Sequence, residues 1–169
     1  MDTLDGDADA PLDVERTRAA PANIQERRAS EKLLPLHEAL CQAAEAGDSS
    51  MCQQILEARA DLNRGNYGGT ALLHAAARGR GRVMEMLLAA QADVNVADPA
   101  LQETALIRAA SGASNEVLWM LLEAGADPLQ QDATGKTAED VANAWNRTEA
   151  AAILRAAVSG ELTFQKSGA

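Results

Sequence analysis

Three short constellations in this 169-residue chain use residue types that carry chemistry elsewhere. Gly135-Lys136-Thr137 looks like the end of a phosphate-binding loop, where a glycine-rich backbone and a lysine cradle phosphate oxygens. That loop needs a glycine five residues before Gly135, and Gln130 stands there; a turn opening a helix explains the three residues better. His37 and Cys41 sit four residues apart, able to share a helix face, and Cys52 follows on the next helix, a set that offers three zinc ligands. The pattern lacks a fourth ligand, and a free cysteine also fills a core slot as a small hydrophobe. Asn146-Arg147-Thr148 is a glycosylation sequon; with no secretory signal at the start of the sequence it reads instead as a helix N-cap. No serine or cysteine motif accompanies the 2 histidines, so no nucleophile is paired with a base. Neither catalysis nor a cofactor is expected.

The composition sets the class of the elements that must hold these residues. The chain is 47% hydrophobic and 24% charged but only 2% aromatic, so the core is built from Leu, Ala, Val and Met. Interiors of that kind suit closely stacked helices better than strands, which favour β-branched and aromatic residues. A formal net charge of -10 argues against a nucleic-acid or anionic-membrane partner, both of which need clustered Lys and Arg. No apolar run of about 18 residues is present, so no membrane insertion is expected. Two cysteines make no disulfide framework and point to a reducing compartment, cytoplasmic or nuclear.

Self-comparison places the helices. Aligning Thr70, Thr104 and Thr137 brings Thr70-Ala71-Leu72-Leu73-His74-Ala75-Ala76 over Thr104-Ala105-Leu106-Ile107-Arg108-Ala109-Ala110 and Thr137-Ala138-Glu139-Asp140-Val141-Ala142. The first two close with Ala92-Asp93-Val94-Asn95 and Ala126-Asp127-Pro128; an upstream copy runs from Glu38-Ala39-Leu40-Cys41 to Ala60-Asp61-Leu62-Asn63. The spacing is roughly 33 residues. Helices are expected near 34–46 and 49–58, 71–78 and 80–90, 105–112 and 114–124, and 138–145 and 148–157. Each threonine caps a short helix, Gly79 turns the chain into the next one, and Val83, Met86 and Leu87 face inward. No single unit can bury its apolar face alone, so stacking makes the core.

On these residues the chain resembles the ankyrin-repeat family, whose pattern is G-x-T-P-L-H-x-A-A, a glycine turn, a second helix ending in L-L, and G-A-D-V-N. The resemblance covers about residues 34 to 157. It implies an all-α solenoid of stacked helix-turn-helix units with extended fingers, divided near 34–62, 63–95, 96–129 and 130–158, the first and last acting as caps. Residues 1–22, acidic and poor in apolar side chains, are expected to be disordered; 23–33 is expected to be a helical extension and 159–169 a frayed tail. Departures matter. Alanine follows each Thr where the family has proline. Cys41, Leu73 and Ile107 hold the family's His position, with His74 one place late, so apolar packing is expected to carry more of the coupling between repeats. The glycine before Ala-Asp survives only as Gly125, with Arg59 and Gln91 elsewhere. Finger lengths also vary, Asn63 to Thr70 being short and Asn95 to Thr104 long.

The resemblance also implies a partner protein bound by a monomer along the concave surface of finger tips and first-helix faces. Matching positions, weighted toward the residue types that concentrate interface energy, give Asn66, Tyr67, His74, Arg78, Leu101, Glu103, Arg108, Lys136 and Trp145. Trp119, matched to Glu85 on the outward side of a second helix, is expected to be exposed, as a second contact or under cover of residues 24–34. Asn95 resembles the site modified by asparaginyl hydroxylases, or simply bonds finger backbone. The acidic start could fold back over Arg78 and Arg80. Function is thus expected to be that of a non-catalytic adaptor or regulatory module. The alternatives are a metal- or redox-responsive protein using His37, Cys41 and Cys52, and the recruiting subunit of an enzyme complex.

Overall fold

A computed structural model describes residues 36–161; the acidic start, the 23–33 extension and residues 162–169 lie outside the described residues. Helix α1 is described over 36–46. It is followed by α2 (Ser49–Glu57), α3 (Ala71–Ala77), α4 (Gly81–Ala89), α5 (Ala105–Gly112), α6 (Asn115–Glu123), α7 (Ala138–Ala144) and α8 (Thr148–Ser159). The end of α1 and both ends of α2 to α8 fall within about two residues of the spans read from the repeat, the margin to which helix ends are defined. The odd-numbered helices stack in one layer, α3 on α5 on α7, and the even-numbered in a second, α2 on α4 on α6 on α8. This is the all-α solenoid of stacked helix-turn-helix units that the resemblance implies.

The alanine pairs explain the close stacking. Ala75, Ala76, Ala109 and Ala110 are fully buried, and only a methyl group separates each backbone from its neighbours. In the second layer Val83, Met84 and Leu87 are buried while Met86 is only partly so. Met84, not Met86, is therefore the core residue: with the helix opening at Gly81, positions 83, 84 and 87 form one stripe. Met86 stands at its edge and lines a surface groove with Met120.

The caps differ between repeats. Thr104 accepts the Ile107 N–H at 3.3 Å. Thr137 and Asp140 cap each other reciprocally, the Thr137 N–H donating to Asp140 Oδ2 at 2.9 Å. Thr70 does not cap: its buried hydroxyl has no partner. Asn146 is not an N-cap either. It takes a left-handed turn at φ 56, the place Gly79 fills at φ 64, and the residue at the α8 N-cap is Arg147.

At the family's glycine position the backbone is left-handed whatever residue is present: φ is 57 at Arg59, 67 at Gln91 and 89 at Gly125. A side chain there costs roughly 1–2 kcal/mol, of which glycine returns part as unfolded-chain entropy. Gln91→Gly is therefore expected to raise the thermal midpoint by a few degrees, read by circular dichroism. An unchanged or lower midpoint would contradict this account.

Polar bonds also run along the stack, beside the apolar packing expected to carry more of the coupling between repeats. Asn63 Oδ1 accepts the Asp93 N–H at 2.8 Å. One repeat on, Asn95 Oδ1 accepts the Asp127 N–H at 2.9 Å and its Nδ2 donates to the Gly125 carbonyl at 3.1 Å. Asn95 therefore does bond finger backbone, and Leu129 ends the ladder. Arg147 donates to the carbonyls of Ala109, Ala110 and Ala113, a cation at the C-terminus of α5 where the helix dipole favours it. Arg80 does the same for α1, donating to the Glu45 carbonyl at 3.1 Å.

Repeat four closes the outer face. Glu139 replaces Leu72 and Leu106 of the earlier repeats and pairs with Arg155 at 2.7 Å; Asn143 replaces the buried Ala76 and Ala110 and is exposed. Among the described residues, no helix is long and apolar enough to cross a membrane.

Candidate functional site

The three fingers close by different means, and each mode of closure fixes what its tip presents. In the first, Asn66 and Gly69 exchange backbone bonds at 3.1 and 3.0 Å around a two-residue tip, Tyr67-Gly68. Gly65 allows the return strand to pass close: a Cβ there would lie 2.3 Å from the Gly69 carbonyl oxygen. Asn66 Oδ1 accepts the Gly68 N–H and, at 2.9 Å, His74 Nε2. An amide oxygen only accepts, so the His74 proton resides on Nε2. Burial, first among the causes, holds His74 below the usual imidazole range, with Arg108 and Arg78 adding to it and Glu45 opposing.

Asp98 organises the second finger. It is 1% exposed and accepts the N–H groups of Ala100, Leu101 and Glu103. Arg108 donates to Asp98 at 3.0 Å, to Glu103 at 3.1 Å, and to the Gly68 carbonyl of the preceding finger at 2.7 Å. Burial pushes the Asp98 carboxyl up, but the Leu101 and Ala100 N–H groups and Arg108 outweigh it and hold it below the ordinary carboxylate value. In the third finger Asp132 accepts the N–H groups of Thr134 and Lys136 and the Thr134 hydroxyl. Those N–H groups are committed to Asp132, so Gly135-Lys136-Thr137 is a capped finger and no phosphate cradle.

The nine positions expected to meet a partner thus divide in two. Asn66, His74, Glu103 and Arg108 are engaged in holding fingers and helices together. Tyr67, 100% exposed, and Leu101, 54% exposed, stand on successive tips. Lys136 is exposed on the third finger. Trp145, 65% exposed, ends α7; Arg78 ends α3 in the equivalent place, exposed but also paired with Glu45 of α1. Between them run Ala77, Ser111, Gly112 and Ala144, all exposed.

Trp119 corrects the expectation of an exposed ring. It is half-buried, in keeping with a large helical side chain lying back over the preceding turn. The coverage by residues 24–34 and the fold-back of the acidic start involve residues outside those described.

The zinc set does not form. Cys41, Cys52 and His37 are buried, and among the described residues no three His, Cys, Asp or Glu side chains converge on a metal position. Cys41 donates its thiol hydrogen to the Gly69 carbonyl at 3.6 Å. Burial, with Glu38 adding, pushes that thiol up against the Asn66 backbone bond; burial and Asp48 do the same for Cys52. Both remain neutral thiols, and the thiolate is the form that binds metal and reacts.

Sequence comparison agrees with the architecture. The chain matches the family described as ankyrin repeats (3 copies) over residues 23–98 and again over 40–132; α7 and α8 add a fourth helix pair beyond that match. No curated protein matches the chain. Arrays of this family generally mediate protein–protein interaction. The left-handed turns, alanine-lined helix stack and threonine-led first helices, together with that match over more than half its length, show that the chain belongs to the ankyrin-repeat family.

Proposed function

We propose that this protein is a non-catalytic interaction module, an adaptor or regulatory subunit, that binds a partner protein on its concave face. One observation carries the reading. The whole chain has 2 Trp, 1 Tyr and 1 Phe, and two of these rings, Tyr67 at a finger tip and Trp145 at the end of α7, are exposed, as is Leu101. Large rings concentrate interface energy because they bury much area with little rotamer freedom. A soluble fold gains nothing by leaving its scarce aromatics in water.

The floor between them favours close approach. Ala77, Ser111, Gly112 and Ala144 carry nothing bulky, so a partner segment can lie against the first helices while the tips of fingers one and two flank it. Rigidity contributes as well: His74, Arg108 and Asp98 hold the tips in place before binding, which lowers the ordering cost of association.

The test is photo-crosslinking in extract, with benzoylphenylalanine placed in turn at Tyr67, Trp145 and Glu85, the last on the convex second-helix side. The reading predicts one shared adduct from positions 67 and 145 that is absent at 85. An adduct formed only from position 85 would place the interface on the other layer.

A further inference from the structure

The C-terminal ends of α1 and α3 frame a concave cleft of about 370 Å³ lined by Gln42, Glu45, Ala46, Arg78 and Arg80. Arg78 directs Nε and Nη2 to one oxygen of Glu45, at 3.2 and 2.6 Å, and keeps 59% of its side chain exposed. Arg80 donates Nε to the Glu45 carbonyl at 3.1 Å and is also exposed. A glycine turn makes room for it: a Cβ on Gly47, whose φ is +83, would meet Arg80 Cδ at 2.9 Å.

Each guanidinium offers five N–H donors in a fixed fork. Here both are anchored near the stem, while Nη1 of Arg78 and both Nη groups of Arg80 bond nothing among the described residues. Two guanidinium groups against one carboxylate leave a local charge of about +1 on a chain of formal charge -10. That balance matches one further carboxylate. A phosphate group brings roughly -2 and would meet Glu45 with about half of its charge unanswered.

Resting on the reading of the concave face as the partner surface, we propose that the Arg78–Arg80 cleft receives a glutamate or aspartate side chain of the bound partner protein. The free Nη groups grip it in the two-point geometry that arginine makes with carboxylates.

The test uses the full chain, 15N-labelled, titrated with acetyl-tetraglutamate amide and with its tetraglutamine counterpart. The glutamate peptide is expected to give saturable shifts at the Arg78 and Arg80 Nε–H signals and at the backbone of Glu45 and Gly47; the glutamine peptide should give none. Arg78→Gln should weaken binding about tenfold. Glu45→Gln still accepts the Arg78 bond but removes the internal competitor, so it should tighten binding about threefold, a gain that misfolding cannot imitate. Shifts of equal size at Arg64 and Arg82, a tetraphosphoserine peptide that binds more tightly, or weakening by Glu45→Gln would each overturn the assignment. If a crosslinked partner binds Arg78→Gln as tightly as wild type but loses Trp145→Ala, the cleft assignment fails while the concave interface stands.

Discussion

Asp98→Ala is expected to lower stability by about 3–5 kcal/mol, because it leaves the Arg108 guanidinium partly buried with its main charge partner gone. Three N–H groups of the second finger, on Ala100, Leu101 and Glu103, lose their acceptor in the same step. Arg108→Met should cost less, about 2–3 kcal/mol, since the carboxylate keeps those backbone donors. The double variant should fall well short of the sum, as expected of residues in one bonded network. Urea denaturation followed by circular dichroism measures all three; additivity would show that the two side chains act independently. The pH dependence has a definite sign. Asp98 is held below its unfolded value of about 3.9, so its stabilising contribution is complete above that value and is lost as pH falls through the depressed folded value. Wild type should therefore lose stability below about pH 4 more steeply than Asp98→Asn does.

The second large effect tests how the stack ends. Leu106 is 1% exposed, whereas Glu139 at the same place in repeat four keeps its charge at the open face, paired with Arg155. Leu106→Glu puts a carboxylate without a partner inside the stack and should cost at least about 4 kcal/mol. Coupling in a solenoid runs through nearest neighbours, so repeats three and four should separate from the rest. Both tryptophans, Trp119 and Trp145, lie in those repeats, which makes fluorescence a reporter of that half. The variant should show a fluorescence transition at lower urea than its circular dichroism transition. Coincident transitions within about 1 kcal/mol of wild type would contradict the cap assignment. Glu139→Leu should leave stability nearly unchanged.

Much of the fold was legible because the repeat makes each copy a check on the others. Thr70, Thr104 and Thr137 set the register, and register alone located the left-handed turns at Arg59 and Gln91, where residue type argued against them. Side-chain reach was not legible. Arg108 matches a half-exposed position by spacing, yet a long side chain beside a buried Asp98 folds further inward, and only the longer second finger places Asp98 there. The same holds for Arg80 and Arg147, whose partners are main-chain carbonyls of another repeat, a type of bond that leaves no mark in the sequence. Thr70 fails for the opposite reason: its type promised a cap, but the short first finger leaves its hydroxyl without a partner.

For the candidate site, the tips were the readable part. Tyr67 and Leu101 are apolar residues at turn positions with no core to fill, so their exposure followed from spacing. His74 and Glu103 passed the same spacing test but are committed to neighbours, because fingers of different length bring different polar groups within reach.

The central claim is that the concave face binds a partner protein. Its most direct measurement is the affinity of the partner crosslinked at Tyr67 and Trp145, purified and titrated calorimetrically against wild type and against the Tyr67→Ala/Leu101→Ala/Trp145→Ala triple variant. Each truncated anchor at such a surface removes about 1–2 kcal/mol, so the triple variant should bind at least about a hundredfold more weakly while its thermal midpoint stays close to wild type. Equal affinity in a folded triple variant would contradict the account.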